Sequence, residues 1–163
     1  MTTRPARICL TLLALAALAG CGPKFVRERV YDKPNMRVEL RHQKSGDAPV
    51  ARGYSHPATI ADVRIAHILA SLSYEDDEGN RKPAIRAQFV YELGDAISAA
   101  LAKAGPDDEV AAAVFPEDRR LQIFTDTRVT AFRLFVQGEQ MRVDFYAVEQ
   151  ALDPDARRAG TRE

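Results

Sequence analysis

The sequence predicts an α+β domain in which two helices pack on one face of a mainly antiparallel sheet, with strands before and after the helices. Three observations carry this. Met36, Val38 and Leu40 alternate with Arg37, Glu39 and Arg41, and Met141, Val143 and Phe145 alternate with Arg142, Asp144 and Tyr146, the period-two pattern of half-buried strands. Between these stretches, apolar residues recur at helical spacing from about residue 60 and again from about residue 85. The links are short, which suits antiparallel neighbours; a parallel pair needs a long crossover.

The elements follow in order. Residues 25–31 and 36–42 flank the turn-rich Asp32-Lys33-Pro34-Asn35; the second alternates cleanly, while the first alternates less well and reads either as a paired strand or as an extended segment. Residues 44–57 hold Gly46, Pro49, Gly53 and Pro57 and read as a loop, with Pro57 forcing His56 into extended backbone. Thr59 and Asp62 suggest a shortened capping box opening a helix to about Ser71. Leu72-Ser73-Tyr74 reads as an extended exit, followed by a polar turn through Gly79-Asn80.

A longer helix is expected over 85–104. Ile85, Phe89, Leu93, Ile97 and Leu101 recur every four residues, placing them on one face. Gly94 is its weak spot, and Gly105-Pro106 ends it. Four strands should follow, at 109–115, 121–127, 129–136 and 141–148, with breaks at Pro116-Glu117-Asp118 and Gln137-Gly138-Glu139-Gln140. In the expected core, Phe89, Leu93, Ile97 and Leu101 meet Ile123, Phe135, Val143 and Phe145.

The N-terminus carries different information. Arg4 and Arg7 precede an apolar run from Ile8 to Ala19 with no acidic residue before Cys21, the layout of an export leader. As a helix that run is about 18 Å long, too short for a bilayer core of about 30 Å. Leu18-Ala19-Gly20-Cys21 resembles the lipobox of bacterial lipoproteins at all four positions. The resemblance implies cleavage before Cys21, a diacylglycerol on its thiol and acylation of the new amine. Gly22 rather than Asp after the anchor implies sorting to the periplasmic face of the outer membrane.

This divides the chain into a leader (1–20), a tether (21–24), one α+β domain (25–150) and a tail with little apolar content, expected to be disordered (151–163). The mature chain keeps Cys21 alone, since Cys9 lies in the leader. A lipidated sulfur leaves neither disulfide nor thiol chemistry. The leader holds two of the 23 basic residues and none of the 23 acidic ones, so the mature chain is two charges negative. That near-neutral balance argues against nucleic acid as a partner.

Candidate chemistry is sparse. His42, His56 and His67 lack the spacing of a zinc set. Asp76-Asp77-Glu78-Gly79-Asn80 fails as a calcium loop, because Ile85 falls where the closing carboxylate belongs. Ser55-His56-Pro57 reads as structural, no Gly-x-Ser-x-Gly elbow exists, and no cofactor is implied. Thr125, Asp126, Thr127, Arg128 and Thr130 form a polar patch that reads as a hairpin's solvent face. Arg157-Arg158 offers weak attraction to anionic headgroups.

The His-Pro before a helix, the Ala-rich second helix and the β-rich end also resemble small envelope lipoproteins of Gram-negative bacteria. The expectation is a non-enzymatic, lipid-anchored accessory or structural protein, partnered by the membrane through Cys21 and by an envelope protein. A ligand- or peptide-binding module is the alternative, and an enzyme the third reading.

Overall fold

The computed structural model describes residues 24–120 and 124–152. It shows an α+β fold of two helices against a mainly antiparallel sheet, with strands on both sides of the helices in the chain. The first hairpin pairs β1 (Lys24–Lys33) with β2 (Met36–Ser45). After a short β3 (Ala48–Pro49) and a long loop come α1 (Asp62–Ser71), a small ribbon of β4 (Ser73–Glu75) and β5 (Arg81–Pro83), and α2 (Ala87–Lys103). The chain then returns to the sheet as β6 (Glu109–Val114), β7 (Glu117–Arg120), β8 (Phe124–Gln137) and β9 (Gln140–Ala151).

Register explains the sheet. Val110 faces Leu134 in β8, and Glu117 faces Thr127 with the same offset. β6 and β7 are therefore one arm of a single long hairpin with β8, and the body of the sheet runs β1-β2-β6-β8-β9. Pro116 does not break that arm. It has no N–H to offer, but its carbonyl accepts from Arg128 N–H at 3.1 Å, as a ladder residue would. The β8–β9 turn places Gly138 at φ +62° between Gln137 and Gln140. Positive φ at the first central position alone is the type II′ pattern.

The inward set is the expected alternation. Met36, Val38 and Leu40 of β2, Val110, Ala112 and Val114 of β6, and Phe132, Leu134 and Val136 of β8 are buried with Phe89, Leu93, Ile97 and Leu101 of α2. Val143 and Phe145 join the same face, only partly buried. Phe135 does not join it. β8 runs on through residue 128, where two strands were expected, and its alternation, with Phe132, Leu134 and Val136 inward, turns Phe135 to the other face. There it stacks on Tyr54, ring centroids 4.4 Å apart. Ile123 lies outside the described residues.

Helix ends also differ from expectation. α1 begins at Asp62, not Thr59, and Ala61 precedes it without a side-chain cap. Ala61's carbonyl accepts from Ile65 N–H instead. α2 packs over β1, β2 and β6, whereas α1 packs chiefly on α2. Their crossing depends on Gly94. A Cβ there would lie 2.8 Å from the Asp62 carbonyl oxygen and 3.1 Å from Ala66, so the residue read as a weakness is the point of closest helix approach.

β1 is fastened to α2 by charges. Tyr31 and Lys33 both bind Glu92, and Lys103 binds Glu28. Those two donors, Lys33 first, hold the Glu92 carboxyl below its usual pKa. Lys24, assigned to the tether by the sequence, is already paired with Lys44, and Ala151, assigned to the tail, is paired with Arg128. Among the described residues no helix is long and apolar enough to cross a membrane.

Candidate functional site

Because α1 leans on α2 rather than on the sheet, a gap remains above β9. It forms a groove of about 710 Å³, within the range of small-molecule and peptide pockets. Ile68 of α1 and Ile60 and Leu72, just outside its two ends, make one wall; Val136, Met141 and Val143 make the floor. Two charges of opposite sign stand in the lining, Arg64 on α1 and Glu139 at the β8–β9 turn. Among the described residues neither has an ion-pair partner.

Among the described residues the opposite face of the sheet has no helical cover, and it is organised by charge. Glu109 is 4% exposed and sits between two guanidiniums, bonded to Arg41 and, at 3.0 Å, to Arg133. Arg133 also holds Asp144 at 3.0 Å. Both arginines lie over the ring of Tyr146, at 5.2 and 5.9 Å from its centroid, and Arg41 lies over Phe25 at 5.2 Å. A shallow hollow of about 170 Å³ opens beside them over Ala111, Ala113 and Ala131. Every charge in the Arg41–Glu109–Arg133–Asp144 chain is matched, so the cluster acts as a lattice that ties β2, β6, β8 and β9 together.

The residues singled out in the sequence have definite places. Cys21 and Arg157-Arg158 lie outside the described residues. Ser55 and His56 complete the sheet. β6 ends before it can reach Val136, so the ladder is continued by the loop: Ser55 N–H donates to Val136 O, and Val136 N–H donates to His56 Nε2 at 3.0 Å. Ser55 Oγ then accepts from Gly138 N–H at 2.8 Å. An Nε2 that accepts leaves the ring proton on Nδ1, and burial pushes the His56 pKa down. His42 Nδ1 lies 3.0 Å from Asp108 Oδ1, and Asp108 also accepts from Gly105 N–H, closing the turn after α2.

Asp76 ties the acidic turn, accepting from Glu78 and Asn80 N–H and pairing with Lys82. These donors, Lys82 first, lower its pKa to about 2. Among the described residues no group of three or more His, Cys, Asp or Glu gathers in metal-binding geometry.

Two features escaped the sequence. Thr130, read as part of a solvent face, is fully buried, and its Oγ1 accepts from Glu149 N–H. Glu149 has φ +47°, costly for a side chain with a Cβ. It is held by Thr130, by Arg128 on its carbonyl and by a two-point Arg86–carboxylate pair at 3.0 and 2.6 Å. No local pattern announces such a bulge. The groove was invisible for a similar reason: it depends on how far α1 stands from β9.

No family model, curated protein or solved structure matches this chain.

Proposed function

We propose that the protein is a lipid-anchored, non-catalytic accessory protein of the cell envelope, held by Cys21 at the periplasmic face of the outer membrane. One observation carries the reading: the Leu18-Ala19-Gly20-Cys21 lipobox is followed so closely by folded chain that β1 begins pairing at Lys24. Three residue steps span about 11 Å. A domain on that leash rests beside the headgroups, where its partners must also be. The non-catalytic reading is supported by what the reactive side chains do. His56 Nε2 accepts from Val136 N–H and Ser55 Oγ from Gly138 N–H, Asp76 ties a turn, and Glu109 is held by two arginines.

The test is mass spectrometry of the mature N-terminus with membrane fractionation. The expected result is an acylated Cys21 recovered with outer-membrane vesicles, and a Cys21→Ser chain that is uncleaved or soluble. An unmodified N-terminus at another residue overturns the anchor; recovery only with inner-membrane vesicles overturns the sorting. A second reading, that the domain also receives a ligand, is favoured by the groove between α1 and β9.

A further inference from the structure

β9 is the last strand of the sheet, and its outer backbone edge has no partner among the described residues. A long free edge invites another strand unless something blocks it. Here half of it is blocked. The ladder slips where Val129 and Ala131 face Gln150 and Ala147, and Glu149 is fixed there at positive φ by Thr130, Arg128 and Arg86. The regular half, from Gln140 to Phe145, is the half that borders the groove, with Met141 and Val143 in its floor.

We infer that this edge and groove together form a site for strand addition by an extended peptide segment of a partner protein. Backbone groups of the peptide would extend the sheet at Gln140–Phe145, and its alternate apolar side chains would enter the groove against Ile68, Leu72, Met141 and Val143. Arg64 and Glu139, opposite in sign and without ion-pair partners among the described residues, select a segment carrying an acidic residue on the helix side and a basic one near the turn. A free small apolar molecule would use the walls but neither the strand edge nor the charges. The inference deepens the accessory reading by naming the class of partner, and its test leaves Cys21 untouched, so the two fail separately.

The probe is a fluorescent, acetylated peptide of alternating valine and threonine with lysine at one end and aspartate at the other. It is titrated into the full mature chain, held in nanodiscs if lipidated. Saturable binding with Kd below about 1 mM is expected, with slowed amide exchange confined to Gln140–Phe145. A central proline in the peptide should weaken binding at least about tenfold, because it removes a ladder donor. Arg64→Glu, an exposed substitution, should weaken it several-fold, and exchanging the peptide's aspartate for lysine should restore it. No saturable binding, indifference to proline, or β9-mediated self-association of the chain in place of peptide binding would overturn the proposal.

Discussion

β2 and β9 carry nearly the same inward alternation, Met-x-Val-x-Leu and Met-x-Val-x-Phe, yet they have different fates. Met36, Val38 and Leu40 are 0, 0 and 4% exposed, while Met141, Val143 and Phe145 remain partly open. The strands are not what differs. α2 lies directly over β2, whereas α1 packs on α2 and leaves a gap above β9. Alternation specifies which side of a strand is apolar; the helix above decides whether that side is sealed.

Substitutions sharpen the contrast, beginning with the sealed side. Leu93→Ala and Leu40→Ala should each cost about 2–5 kcal/mol, the range for deleting a large buried side chain that leaves a cavity. Urea unfolding followed by circular dichroism reads this. An unchanged midpoint for Leu93→Ala would contradict a core centred on α2. Gly94→Ala should cost about 1–3 kcal/mol, because the new methyl meets the Asp62 carbonyl and the helices must part. A stabilised Gly94→Ala would mean that helix propensity outweighs the contact. Val143→Ala, on the open side, should cost under about 1.5 kcal/mol, below the full loss of a buried side chain.

A pH series separates the two sides differently. His56 is buried at the end of β8 and its pKa is depressed, chiefly by burial. The folded state thus releases its proton more readily than the unfolded chain. Its contribution is complete above the unfolded value of about 6.5 and is lost as pH falls below it. The urea midpoint should drop between pH 7.5 and 5.5, and His56→Gln should flatten that part of the drop. An identical profile in the variant would remove His56 from the account.

Most of the architecture was legible because it rests on periodicity. Phe89, Leu93, Ile97 and Leu101 are inside, and Met36, Val38 and Leu40 face them. Errors arose where a local signal met a tertiary demand. Pro116 looked like a break, but a proline whose missing N–H is not needed leaves the ladder intact. Phe135 was expected in the core, but it stands between inward-facing Leu134 and Val136, so alternation turns it to the other face, against Tyr54. Gly94 looked weak because propensity counts only the isolated helix. The Glu149 bulge rests on Arg86 and Thr130, far from it in the chain, and the groove on the distance between α1 and β9; no window of sequence contains either.

Native-state hydrogen exchange, resolved by residue, tests the difference between the two sides most directly. The β2–β6 ladder should open only with global unfolding, while the β8–β9 ladder at Met141–Phe145 should open at a free energy lower by about 1–3 kcal/mol, as for elements with few buried apolar contacts. Equal protection of the two ladders would show that β9 is sealed as firmly as β2, and would contradict the groove on which the partner site depends.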